Sequence, residues 1–300
     1  MLYNCPFCYH ENANLYRGNQ KLRGGGYADI FICSECGTLF PHPRMNESES
    51  GDYCSTLYCN GKYFQANPTK IMNQGVLHHL KKYILPRDDD LNMKAFIESH
   101  MEITGNALDI GAFTGRFVYF LKSLGFNAYG LEKNEEASKF ARQHDLNVIL
   151  ASFPENIPKD LLQMKFSLIS VMEVIYYFVD LKKSLAKIND MLIPGGFILI
   201  KCHQGKSRYY NDYRNSFFKR YGDYVQGIPT MNSLRYCLER SGFEIVGRIM
   251  GASHFSFTSK KNKISKAIGC VSSKIYDKLH VETADHLIIL AKKRFEVKNV

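Results

Sequence analysis

No apolar run in the sequence reaches the about 18 residues that a bilayer-crossing helix needs, so no transmembrane helix is expected. The start, Met1-Leu-Tyr-Asn-Cys-Pro6, lacks a basic segment followed by an apolar one and does not read as a secretory signal. Internal repeats and low-complexity tracts are also missing, which argues against a solenoid or a tail-like chain. Acid is in deficit: 29 Asp and Glu face 39 Lys and Arg, for a formal charge of +10. That excess fits a nucleic-acid surface or a phosphorylated substrate, or simply lysines on solvated faces. The lysines are scattered, apart from Lys260, Lys261, Lys263 and Lys266, which favours the solvated-face reading. What is present suffices for a core: 300 residues, 45% hydrophobic, enough for one large domain or two smaller ones. Nine cysteines, an odd number, without a signal peptide point to the reducing cytoplasm and to metal rather than disulfides.

Four of those cysteines form two C-x-x-C knuckles, Cys5-Pro-Phe-Cys8 and Cys33-Ser-Glu-Cys36. Two such knuckles bring four thiolates to one tetrahedral point, which suits a structural zinc ion and leaves no open position for catalysis. The long gap between them holds Gly24-Gly-Gly26, where a hairpin turn would absorb it. A redox reading is weaker, because one knuckle would suffice and the strand–helix context is missing. His10 and His42 are near enough to substitute as ligands, but four cysteines complete the site, and Cys54 and Cys59 read as plain thiols. A module this small buries too little core to fold alone, so metal would supply its folding energy.

Ala107-Leu-Asp-Ile-Gly-Ala-Phe-Thr-Gly-Arg-Phe117 is the most informative stretch. An apolar strand ends in a glycine-bracketed turn that opens a helix, whose amide end can receive polar groups. The next strand, Asn127-Ala-Tyr-Gly-Leu131, delivers Glu132 where a ribose diol would lie. The unit reads as a cradle for an adenosine-containing cofactor, or as an ordinary strand–turn–helix without a ligand. A nicotinamide fingerprint needs G-x-G-x-x-G, whereas here Ala112 and Phe113 follow Gly111 and Arg116 stands at the last glycine position.

The chain divides into a ribbon at 1–45, a helical linker or cofactor lid at 46–101, and an α/β domain at 102–300 with an insert at about 204–230. Helices are expected over Thr69–Leu85 and Leu91–Met101. Strands are expected at 107–110, 127–131, 147–150, 167–172, 196–202, 243–250 and 285–293. Helices at 115–124, 134–144, 180–192 and 231–241 lie between most of them. Such alternation predicts a parallel sheet covered on both faces. Pro194-Gly195-Gly196 reads as a turn that stops one helix and starts the fifth strand.

Taken together these features resemble the class I S-adenosylmethionine-dependent methyltransferases. The matching segments are Asp109–Gly115, Glu132, Ala151-Ser-Phe153, Met172-Glu173, Leu192-Ile-Pro-Gly-Gly196 and Gly242-Phe243. Gly37-Thr-Leu-Phe-Pro-His-Pro-Arg44 resembles the end of the zinc ribbon in a bacterial group that joins the ribbon to such a domain, many of whose members are linked to surface polysaccharide or sugar modification. The resemblance implies a Rossmann-like seven-stranded sheet with an antiparallel last strand. It also implies an S-adenosylmethionine pocket from Asp109, Gly111, Ala112, Phe113, Gly115, Glu132, Lys133, Ser152, Phe153, Met172 and Glu173, with zinc on Cys5, Cys8, Cys33 and Cys36. In this pocket Glu132 would accept hydrogen bonds from the ribose hydroxyls. Many relatives carry Glu-x-Leu-Glu-His after the fourth strand, where this chain has Glu173-Val-Ile-Tyr-Tyr177, so the matched position offers no evident base.

Methyl transfer is an in-line displacement that requires alignment and exclusion of water, and a hydroxyl acceptor also calls on a base. His203 follows the fifth strand at the carboxyl edge of the sheet and is the candidate base or a loop hydrogen-bonding group; Tyr176 and Tyr177 would orient the acceptor or simply pack. The insert carries Arg208, Tyr209, Tyr210 and Arg214, an aromatic and cationic set suited to a sugar, nucleotide-sugar or phosphorylated acceptor. Its stripe of Tyr213 and Phe217 reads equally as core. The expectation is a methyltransferase acting on a polar small molecule, with nucleic acid disfavoured. The alternatives are a zinc-ribbon RNA methyltransferase and a non-catalytic scaffold of the same fold.

Overall fold

A computed structural model describes residues 3–22, 26–49, 88–205, 225–251 and 286–295. The expected helix Thr69–Leu85, the thiols Cys54 and Cys59, and Arg208, Tyr209, Tyr210, Arg214, Tyr213 and Phe217 of the insert lie outside the described residues. The chain separates into two compact units. One comprises Met1–Arg44, Lys201–Cys237 and Arg248–Ile289, and the other Met45–Ile200, Leu238–Gly247 and Leu290–Val300.

The ribbon is a three-stranded antiparallel sheet of β1 (Ala13–Lys21), β2 (Tyr27–Cys33) and β3 (Leu39–His42), in that order. The β1–β2 register runs from Ala13↔Cys33 to Lys21↔Tyr27, and the Leu22 amide donates to the Gly26 carbonyl at 2.8 Å; Gly24 and Gly25 of the expected turn lie outside the described residues. Phe7, Ala28, Ile30, Phe31, Leu39 and Phe40 are among its buried apolar side chains, with the Phe31 and Phe40 rings stacked at 6.1 Å.

The α/β part begins with α1 (Asp88–Glu98), which starts and stops three residues before the expected helix. Its end tightens because the Ser99 hydroxyl donates to the Phe96 carbonyl at 2.9 Å. In order follow β4 (Asn106–Ile110), α2 (Arg116–Leu124), β5 (Asn127–Glu132), α3 (Glu135–Arg142), β6 (Val148–Leu150), α4 (Lys159–Gln163), β7 (Phe166–Met172), α5 (Leu181–Met191), β8 (Leu192–His203), α6 (Met231–Arg240), β9 (Phe243–Gly251) and β10 (His286–Lys293). The sheet order is β6-β5-β4-β7-β8-β10-β9, the Rossmann-like arrangement with an antiparallel last strand. The β4–β5, β4–β7 and β5–β6 pairs are parallel. The sheet therefore reverses direction in sequence between β4 and β7, the neighbours from which β5 and α5 lead away; ligands of open α/β sheets lie at this switch, beyond the strand carboxyl ends.

Two elements differ from expectation. The short α4 has too few residues to display a helical apolar period. Pro194-Gly195-Gly196 lies inside β8 rather than in a turn. Gly195 takes φ 74°, and a side chain at Gly196 would meet the Ile193 and Phe166 carbonyl oxygens at 3.0 and 3.1 Å, so the glycines let the strand distort without ending it.

Candidate functional site

β4 is apolar apart from Asn106 and Asp109, and its carboxyl end leads directly into the glycine turn. Gly111 and Ala112 both donate backbone N–H bonds to the Leu131 carbonyl at 2.9 Å, which clamps the turn to β5. Gly111 and Gly115 have φ of 75° and 79°, where other residues are strained, and Phe113 accepts that strain at φ 49°. Side chains at the two glycines would meet Val174 Cγ2 at 2.5 Å and Leu146 Cδ1 at 2.7 Å. Gly115 then caps α2.

The turn is aimed by Glu132. Its Oε2 accepts the Phe113 amide at 2.7 Å and its Oε1 accepts the Asn134 amide at 2.8 Å. The side chain is 7% exposed, and burial raises its pKa against the pull of those amides, Asn134 first. A carboxylate has about four lone-pair positions, so each oxygen keeps capacity for another donor. Asp109, in the same unit, is 2% exposed and accepts the Ser170 hydroxyl at 2.7 Å. Burial pushes its pKa up to about 7, the Ser170 bond opposes this, and the nearby Glu132 charge adds to it.

The remaining expected positions of this unit fall around the sheet edge. Lys133 is exposed, while Ser152 and Phe153 are half-buried after β6, with the Phe153 ring 5.7 Å from Phe178. Met172 ends β7, half-buried. Glu173 adopts φ 61° and accepts the Tyr176 hydroxyl at 2.8 Å. Tyr176 is 2% exposed, in a short 3-10 turn over Ile175–Tyr177, and Tyr177 packs edge-on against it at 4.5 Å. In the other unit, half-buried His203 ends β8 with its ring 4.1 Å from that of His286.

Three contributors escaped the sequence reading. Asn134 is the N-cap of α3, 1% exposed, its Oδ1 accepting the Ala137 amide at 2.9 Å and its Nδ2 without a hydrogen-bond partner. Asn followed by Glu135 and Glu136 is an N-cap signature that could have found it. Gly130 of β5 has no room for a side chain, which would meet Ala112 Cβ at 2.6 Å and Val118 Cγ2 at 2.8 Å. Ser170 is one of two serines in an otherwise apolar strand, and only its spatial register identifies it.

In the ribbon, Cys5, Cys8, Cys33 and Cys36 are all buried and their sulfurs lie within 4.8 Å of one another. The Cys5–Cys36 and Cys8–Cys33 separations are 3.6 and 3.5 Å. Tetrahedral zinc with Zn–S bonds of about 2.3 Å needs sulfurs about 3.8 Å apart, so the cluster fits that ion. Both knuckles close alike: the Tyr9 amide donates to the Cys5 carbonyl at 3.0 Å and the Gly37 amide to the Cys33 carbonyl at 2.9 Å, with positive φ at Tyr9 and Gly37. By themselves the thiols share protons unequally: bonds from Cys36 and Cys8 push Cys5 down to about 2, while Cys36 is pushed up to about 12.

The Methyltransferase domain family matches residues 73–247, more than half of the 300 residues. No match is found among curated proteins. Solved structures similar to the chain include a possible histamine N-methyltransferase from Thermotoga maritima, at 19% identity and TM-score 0.49, over 75% of this chain and 99% of that one. Two S-adenosylmethionine-dependent methyltransferases are also similar. That from Archaeoglobus fulgidus has 19% identity and TM-score 0.47, over 73% of this chain and 100% of that one. That from Mesorhizobium loti has 16% identity and TM-score 0.46, over 65% and 95%.

Proposed function

The chain belongs to the methyltransferase-domain family and is an S-adenosylmethionine-dependent methyltransferase, and we propose that it methylates a hydroxyl of a polar small molecule: a sugar, nucleotide-sugar or phosphorylated metabolite of the kind used in surface polysaccharide assembly. The observation that carries the cofactor assignment to particular residues is the pair of backbone amides fixing the Glu132 carboxylate at the Asp109–Gly115 turn.

When bound, S-adenosylmethionine supplies an electrophilic methyl carbon on a sulfonium. Glu132 has lone pairs left for the two ribose hydroxyls, and the buried, unpartnered Nδ2 of Asn134 is a donor that an adenosine acceptor would satisfy. Both features fit the group. Asp109, Gly111, Ala112, Phe113 and Gly115 form the turn that would hold its methionine and ribose portion. Ser152 and Phe153 would flank the adenine, exposed Lys133 would lie at the rim of the pocket, and Met172 and Glu173 would face the sulfonium. Tyr176 acts through Glu173, since its hydroxyl is already donated there. Tyr177 orients the acceptor, and His203 takes the proton released from its hydroxyl. Arg208, Tyr209, Tyr210 and Arg214 are proposed to bind the acceptor, as an aromatic and cationic set suited to a sugar or phosphate. Cys5, Cys8, Cys33 and Cys36 are proposed to hold structural zinc.

Incubation with methyl-labelled donor and separate pools of nucleotide-sugars, sugar phosphates and RNA tests the acceptor class. Label is expected in the sugar pools and should disappear in His203→Ala. Label confined to RNA, with binding that falls steeply with salt, would overturn the assignment.

A further inference from the structure

The segment 225–230 has neither helix nor strand, yet Val225, Gln226, Ile228 and Thr230 are all at most 2% exposed. Buried backbone of this kind must find hydrogen-bond partners. Here the four-cysteine ribbon provides them. The Ile228 amide donates to the Leu39 carbonyl at 2.7 Å and the Leu39 amide returns a bond to the Ile228 carbonyl at 3.2 Å. The Thr230 hydroxyl donates to the carbonyl of Cys36, itself one of the four thiols. Cys36 Sγ in turn lies 3.1 Å from the Thr38 hydroxyl, and Thr38 is fully buried. Gly227 lies so close to the ribbon that a side chain would meet Pro6 Cγ at 2.9 Å and Thr38 Cγ2 at 3.2 Å. The same segment grips the end of β8, since the Gly205 amide donates to the Pro229 carbonyl at 2.8 Å, two residues after His203.

From this chain of contacts we infer that Thr230 is a positioning residue that couples metal occupancy of the four-thiol cluster to the order of 225–236 and of the β8 terminus carrying His203. The inference rests on the zinc reading above. Zinc fixes the Cys33–Cys36 knuckle, the knuckle fixes the Cys36 carbonyl and Leu39, and these hold the buried segment that has no ladder of its own. Coupling of this kind is reciprocal: what metal does for the segment, the segment does for metal affinity. Groups that orient metal ligands typically change affinity ten- to a hundredfold when removed, about the size expected at Thr230.

Hydrogen exchange on the full chain, zinc-loaded and then chelated with metal content measured in parallel, tests this without any acceptor. Chelation is expected to speed exchange at least about tenfold in 202–205 and 225–236, while 107–132 and the affinity for S-adenosylhomocysteine stay unchanged. Thr230→Val should lose zinc to a chromophoric chelator at about ten- to a hundredfold lower chelator concentration, and Thr230→Ser should restore retention. Unchanged exchange in 225–236 after verified metal loss overturns the coupling, as does equal zinc retention by the Val and Ser variants. A chain that binds no zinc even on reconstitution fails instead at the zinc reading, and metal content tells the two failures apart.

Discussion

At the ribbon, four sulfurs from two turns converge within 4.8 Å, and the buried side chains around them are few. At the end of β4, one carboxylate is held by two backbone amides, and the turn around it is walled by Val174, Leu146, Ala112 and Val118. Both places aim polar groups at a point. The first does so with ligands whose mutual repulsion and burial an ion must offset; the second is cast by hydrocarbon packing and main-chain bonds before any ligand arrives. If the cluster holds zinc as proposed, preorganisation in the second region should survive loss of its ligand and in the first it should not.

The sharpest way to break that comparison is to remove the ion's grip. Cys33→Ser is expected to abolish zinc binding and unfold the ribbon, because structural zinc contributes about 10–16 kcal/mol in small modules that cannot fold without it. Exchange protection over 5–42 should vanish while S-adenosylhomocysteine still binds. Retained protection in metal-free protein would show that the ribbon is cast like the β4–β5 turn.

The reverse test attacks the cast region through its packing. Gly111→Ala forces a side chain to φ 75° and into Val174 Cγ2 at 2.5 Å. Left-handed backbone costs about 1–2 kcal/mol and overpacking about 1–3, so a stability loss of about 2–4 kcal/mol is expected. Denaturant unfolding measures it, and an unchanged midpoint would mean that the turn relaxes easily.

This glycine also shows what a sequence discloses. Gly111 and Gly115 were legible as a turn, and the strands around them fall within a residue or two of expectation, because apolar period and glycine spacing are local signals. The reason for the glycines was not legible: the space a side chain would need is filled by Val174 and Leu146, from elsewhere in the fold. Ser170 was missed for the same reason, since its bond to Asp109 spans 61 positions. The convergence of the four cysteines was legible because two C-x-x-C knuckles are a local spacing signal. Their tie to Thr230 was not, because the partner lies 194 residues away and reaches a carbonyl, which every residue has.

A smaller effect probes the carboxylate itself. Glu132→Gln removes the charge that the Phe113 and Asn134 amides point at and gives the ribose hydroxyls a poorer acceptor. Hydrogen bonds to charged groups contribute about 1.5–3 kcal/mol, so S-adenosylhomocysteine affinity should fall about ten- to a hundredfold by calorimetry. An unaltered affinity would place the adenosine elsewhere. The ribbon should be indifferent, with zinc retention as in wild type.

The smallest expected effect is a pH dependence confined to the cast region. Burial, opposed by the Ser170 hydroxyl and reinforced by Glu132, lifts Asp109 from 3.8 to about 7. The folded state then holds a proton that the unfolded chain releases, so this contribution is present below pH 3.8 and is lost as pH rises through about 7. Between pH 6 and pH 8 the loss amounts to about 1.4 kcal/mol, read as a declining denaturant midpoint. Asp109→Asn keeps an oxygen that can accept from Ser170 and has no proton to lose, so its midpoint should decline less than wild type across that range, any remainder coming from Glu132, whose pKa burial also raises. The full wild-type slope persisting undiminished in the variant would move the titration to another group. Zinc-saturated and metal-free protein should show the same Asp109-dependent slope, which separates packing from ligation as the source of order.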